Sequence, residues 1–168
     1  MIVVADTSVL LNLAFLGLDH LLPGWFGEVH IPEAVAREFT RLTASPGRFG
    51  GFKLPACCLV TAVASIPRQI ASSPRLDAGE AEALALALAS PSSVLLFDEV
   101  AARAVAVSLG IRVVGTLGLL LRAKNDGLIP QVAPLLRRLM VEGRFRVSPA
   151  VVHATFELVP KRRTRKPT

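Results

Sequence analysis

Cysteine is almost absent from this 168-residue chain, which has only Cys57 and Cys58. Adjacent cysteines pair only through a strained ring, so no disulfide framework is indicated and both read as buried or half-buried thiols. Long apolar runs are missing too. Hydrophobic residues make up 52% of the chain and mean hydropathy is +0.52. Even so, no window supplies the roughly 18 uninterrupted apolar residues of a membrane span, and the best candidate, 81–97, is broken by Ser90-Pro91-Ser92-Ser93. No basic segment precedes the first apolar run and no cleavage region follows it, so no signal peptide is read and a cytoplasmic location is expected. Walker-type loops, Gly-x-Ser-x-Gly elbows, dinucleotide glycine fingerprints and internal repeats are all lacking. His20, His30 and His153 have no paired spacing of the zinc-helix kind and read as structural or surface residues. Trp25 and the phenylalanines show no regular interleaving and read as core or loop anchors. A chain of 17.9 kDa with this apolar content suits one domain with a sizeable core.

The net charge of +6 is unevenly placed. Lys161, Arg162, Arg163, Arg165 and Lys166 supply five basic charges, and without them 14 basic residues face 13 acidic ones. The expected organisation is therefore a nearly neutral domain over 1–158 and a basic tail over 159–168. The tail is a candidate RNA-binding arm whose grip would weaken steeply with salt; a solvated, solubilising end is the alternative reading.

Strand and helix signals alternate, the pattern of an α/β fold with a mainly parallel sheet. Strands are expected at Ile2 to Ala5, Val29 to Ile31, Cys58 to Val63, Val94 to Phe97 and Ile111 to Val114. Helices are expected from Ser8 to Leu18, from Pro32 to Leu42 and from Ala78 to Ala89. Four more are expected from Val100 to Leu109, Leu117 to Lys124, Gln131 to Val141 and Pro149 to Leu158. Residues 43–56 and 67–74 read as loops rich in Gly, Pro and Ser. The helix from Ala78 is apolar nearly all round and should be buried on most sides.

What the chain does have is an acid directly behind an apolar run, and the pattern returns. Ile2-Val3-Val4-Ala5 leads into Asp6, and Val94-Leu95-Leu96-Phe97 leads into Asp98-Glu99. In an open parallel sheet, residues just past the strand ends line the crevice where ligands bind. Glu38, on the helix after the second strand, and Glu80, opening the apolar helix, fall at comparable places. Carboxylates brought this close repel one another and are tolerated when hard cations such as Mg²⁺ or Mn²⁺ neutralise them. Such ions lower the pKa of a water to make a nucleophile for phosphodiester displacement. Each acid also has a plainer role open to it. Asp6 suits a helix cap, Glu38 a solvated surface, and Glu80 a capping box with Asp77. Glu82 competes with Glu80, since residues two apart on a helix face nearly opposite ways. Glu99 competes with Asp98. Thr116, after a later strand, and Ser8, beside Asp6, are accessory candidates.

The sequence resembles a PIN domain, the nuclease fold of toxin-type ribonucleases in bacterial and archaeal toxin–antitoxin pairs. The resemblance covers roughly residues 1–150. It is carried by the segments Ala5-Asp6-Thr7-Ser8-Val9-Leu10-Leu11-Asn12-Leu13, Ile31-Pro32-Glu33-Ala34-Val35-Ala36-Arg37-Glu38, Leu76-Asp77-Ala78-Gly79-Glu80-Ala81-Glu82-Ala83, Leu95-Leu96-Phe97-Asp98-Glu99 and Val114-Gly115-Thr116-Leu117-Gly118. It implies a three-layer α/β/α fold and a catalytic quartet of Asp6, Glu38, Glu80 and Asp98. Asp6, Asp98 and Glu80 are the implied metal ligands; the usual third acid of the family is Asp, where this chain has Glu80. It also implies a Mg²⁺- or Mn²⁺-dependent endoribonuclease with RNA as substrate and a small antitoxin as partner. The apolar surplus adds an expected homo-oligomer, a dimer.

Overall fold

The computed structural model describes residues 1–157. Strands β1 (Val3–Ala5), β2 (Val29–Pro32), β3 (Cys58–Thr61), β4 (Val94–Leu96) and β5 (Arg112–Val114) form one parallel sheet in the order β3-β2-β1-β4-β5. The helices are α1 (Thr7–Leu16), α2 (Leu22–Phe26), α3 (Glu33–Ala44), α4 (Arg68–Ala71), α5 (Ala78–Leu88), α6 (Val100–Ser108), α7 (Thr116–Asn125), α8 (Ala133–Val141) and α9 (Pro149–Glu157). Among the described residues no single helix is long and apolar enough to cross a membrane.

Strand alternation builds the three layers. Val3 and Ala5 of β1, with Val94 and Leu96 of β4, pack against Leu10 and Leu13 of α1, Val35 and Phe39 of α3 and Leu119 of α7. Val4, Leu95 and Phe97 point the other way, onto Ala83 and Leu84 of α5 and Ala102 and Ala106 of α6. This two-residue alternation, with both faces apolar, is what a sheet covered by helices on each side requires. Its small residues let α5 lie close, with Gly79, Ala83, Leu84, Ala85 and Ala87 buried.

The boundaries differ from expectation where turn chemistry intervenes. Gly17 adopts the left-handed conformation at φ 69° and ends α1 at Leu16, before the expected Leu18. A 3₁₀ turn, Asp19–Leu21, and α2 fill the stretch between α1 and β2, where no element was expected, with Pro23 in the first turn of α2, where its missing N–H is not needed. The stretch 67–74, read as a loop, contains the single turn of α4. Between α3 and β3, Phe49, Phe52 and Leu54 pack against the main core, so side chains anchor that irregular segment.

The strand order reverses direction between β1 and β4. The chain steps outward from β1 to β2 and β3, then returns to place β4 on the other side of β1 and continues to β5. The carboxyl ends of β1 and β4 therefore flank the switch point of the sheet, where a crevice opens in folds of this kind.

Candidate active site

Asp6 and Asp98 are the residues that leave β1 and β4 at that switch point. The Asp6 N–H donates to the Leu96 carbonyl at 3.1 Å, so the two strand ends are pinned together just ahead of their acids. Asp6, Glu38, Glu80 and Asp98 all line one cavity of about 380 Å³, with Asp77 and Glu99 also on its wall. The four acids singled out from sequence converge on one space.

Each is oriented by its own neighbours. Asp6 caps α1, its Oδ2 accepting from the Ser8 N–H at 3.3 Å and the Ser8 hydroxyl at 2.9 Å. The Thr7 hydroxyl donates to Glu38 Oε2 at 2.7 Å, tying α1 to α3. Glu80 and Asp77 form the capping box: Asp77 N–H donates to Glu80 Oε2 at 2.9 Å and Glu80 N–H to Asp77 Oδ1 at 2.8 Å. Asp98 takes the Thr116 N–H at 2.7 Å on Oδ1, and the Thr116 hydroxyl at 2.5 Å and Asn12 amide at 3.0 Å on Oδ2. For Asp6 and Glu80, the cap and the place on the crevice wall coexist in one side chain.

The paired alternatives separate by placement. Glu80 is buried and lines the cavity, whereas Glu82 turns away and accepts from the Ala34 N–H at 3.1 Å near the start of α3. Asp98 is held between β4 and α7, while Glu99 is exposed at the start of α6, on the same cavity wall. Thr116 is fully buried and clamps Asp98; the half-buried Ser8 holds Asp6. Lys161, Arg162, Arg163, Arg165 and Lys166 lie outside the described residues.

Burial of like charges shows in the acidities. Burial pushes the Asp6 carboxyl up to about 6, against the hydrogen bonds from Ser8 and Thr7 that lower it. Glu80 is pushed up to about 7, first by burial and then by the negative charges of Asp77, Asp6 and Glu99. Asp98 is raised by burial as well, countered by Thr116, Asn12 and the Arg103 guanidinium.

A hard divalent cation suits this donor set: oxygen ligands on buried carboxyls whose negative charge the protein under-compensates. The acids are not gathered into a ready cage, however. Among the described residues no three His, Cys, Asp or Glu side chains group closely enough to hold an ion. Each carboxylate is instead engaged by its own hydrogen-bond donors.

Several residues of the site are not among those singled out from sequence. Asn12 also donates to the Thr116 hydroxyl at 3.4 Å. Its mark is a buried polar side chain inside the otherwise apolar run of α1. Arg103 donates to the Phe97 carbonyl at 2.9 Å and its charge acts on Asp98. At Gly115 a Cβ would stand 2.8 Å from Arg103 Nη1, 2.9 Å from Asp98 Oδ1 and 3.1 Å from the Phe97 carbonyl, so the glycine makes room for the clamp. Arg48, Arg144 and Arg146 complete the cavity wall.

Compared with known proteins, the chain is matched over residues 2–161 by the model of the DUF3368 family, a PIN domain. No curated protein and no solved structure is significantly similar to it.

Proposed function

The chain belongs to the PIN domain family, a family of nuclease-type modules, and on that premise we propose that it is a metal-dependent endoribonuclease hydrolysing RNA phosphodiesters, the toxin of a type II toxin–antitoxin pair. The observation that supports this reading best is the convergence of Asp6 and Asp98, from the ends of adjacent strands, with Glu38 and Glu80 on one cavity. Asp6, Glu80 and Asp98 would hold Mg²⁺ or Mn²⁺, with Glu38 completing the set. When bound, such an ion makes water more acidic and offsets charge developing on the phosphate. The chain's own residues do the positioning. Thr116 and Asn12 fix the Asp98 carboxylate, Ser8 fixes Asp6, and Thr7 fixes Glu38. A small antitoxin, a homodimer and a cytoplasmic setting complete the proposal.

Asp6→Asn tests it, because asparagine keeps the shape and the helix cap while removing the charge. Purified Asp6→Asn, folded by circular dichroism, should lose Mn²⁺-dependent cleavage of an oligoribonucleotide; cleavage equal to wild type overturns the assignment. Growth arrest on expression, relieved by the same substitution and by a co-expressed small partner, tests the toxin role.

A second reading, a PIN-type module that binds RNA or protein without cutting, draws on one observation: each carboxylate is held by a local donor instead of a shared cage. Calorimetric titration separates the two. A nuclease binds Mn²⁺ at the crevice and loses it in Asp6→Asn, whereas a pure binder shows no such loss.

A further inference from the structure

Two cavities meet at the acidic crevice. The second, of about 330 Å³, shares Glu38 and Asp77 with the first and continues past Ala78 and Gly79 to Arg37 and Arg41 on α3. Arg144 and Arg146 stand on the wall of the first cavity, in the segment between α8 and α9. Among the described residues neither forms an ion pair, although six carboxylates line the same cavity. Among the described residues Arg37 and Arg41 are ion-paired only with Glu33 and Glu38 of their own helix, at 3.6 and 3.8 Å, and their side chains are 67% and 71% exposed. Exposed pairs of this kind contribute little, so a phosphate can take over either guanidinium. A crevice so rich in carboxylates repels a polyanion unless cations flank it on the path in and the path out. Each cavity has the volume of a site for one small-molecule-sized unit.

We infer that the crevice is the middle of a continuous trough that seats an RNA strand, its phosphates gripped by Arg144 and Arg146 on one side of the acidic centre and by Arg37 and Arg41 on the other. This deepens the ribonuclease proposal and rests on it for the identity of the substrate. The two arginine pairs are positioning residues: they set where the backbone lies and leave the chemistry to the acids. A strand must extend past the centre on both sides to reach all four, so the substrate is the interior of a chain and not a mononucleotide.

The test is fluorescence anisotropy of a labelled single-stranded oligoribonucleotide on the full chain across a range of salt, without divalent ions. The variants are Arg144→Ala/Arg146→Ala, Arg37→Ala/Arg41→Ala and, as control, Arg112→Ala. Arg112 pairs with Val94 at the opposite end of the sheet from the acids. Each double variant should bind about 10- to 30-fold more weakly at 0.1 M salt and shallow the salt slope by about 1.4, as for two lost phosphate contacts on a single strand. Arg112→Ala should leave both unchanged. Wild-type affinity and slope in either double variant overturns the two-sided trough. Binding is read without cleavage, so the outcomes separate: weakened binding in a protein that never cuts RNA upholds the trough and removes the nuclease, and cutting with unaltered binding does the reverse.

Discussion

Asp98 is approached by a backbone N–H, a hydroxyl and an amide, and a guanidinium adds its charge, so the carboxylate that burial disfavours is held in one orientation on the cavity wall. Removing one donor exposes how that arrangement works. Asn12→Ala strips a buried hydrogen bond from both Asp98 and Thr116; urea unfolding should show a loss of about 1–3 kcal/mol. Mn²⁺ affinity should fall about tenfold, as for other supports of a ligand. Gly115→Ala acts through space instead of through a bond, pushing a methyl against Asp98 and Arg103; activity should drop while the extended backbone ahead of α7, at φ −95°, tolerates alanine. Asp6→Asn should move stability the other way. The folded Asp6 carboxyl lies at about 6 against 3.8 in the open chain, so above pH 6 its ionised form opposes folding. The neutral variant, measured without metal at pH 8, should be more stable by about 1–3 kcal/mol.

At the scale of elements, α5 does two jobs with two acids. Glu80 faces the crevice and Glu82 holds the start of α3. Glu80→Gln should therefore abolish activity and, like Asp6→Asn, raise the melting temperature of the metal-free protein at pH 8, because glutamine keeps the side-chain half of the capping box and removes a carboxylate that burial disfavours. Glu82→Ala should lower stability by about 1 kcal/mol and keep Mn²⁺-dependent turnover, a contrast that melting and cleavage assays on the same two variants would show. The strands, the long helices and the acids that follow β1 and β4 were legible because apolar runs and helix caps are local signals. What was not legible came from pairings across the chain. Thr116 and Asn12 meet Asp98 over 18 and 86 positions, and no local pattern announces such a meeting. Glu80 and Glu82 could be told apart as facing opposite ways but not assigned, since the choice depends on where α3 lands. The short α2 and α4 were missed because proline and glycine mark turns and first turns of helices alike.

For the whole molecule, the crevice couples protons to folding, and on the proposed metal-dependent function it couples a divalent ion as well. Asp6 and Glu80 bind protons more tightly in the fold, at about 6 and about 7, than in the open chain at 3.8 and 4.5. Between about pH 4 and 7 the folded state therefore holds more protons, and their contribution to stability is fullest at the acidic end and lost as pH rises through 7. Metal-free protein should accordingly unfold at lower urea at pH 8 than at pH 5, as far as these two groups decide. A divalent ion that takes the place of those protons should restore stability at pH 8 and do little at pH 5. Equal metal stabilisation at both values would detach the ion from these carboxyls.

The return of β4 to the side of β1 has a consequence in time. During synthesis, the amino-terminal part of the chain leaves the ribosome carrying Asp6 with no opposing acid, and Asp98 gains its clamp only once Thr116 has followed. On the proposed nuclease function, a half-made polypeptide of this kind lacks a finished crevice, and cutting waits until the chain beyond the last strand of the sheet has been laid down.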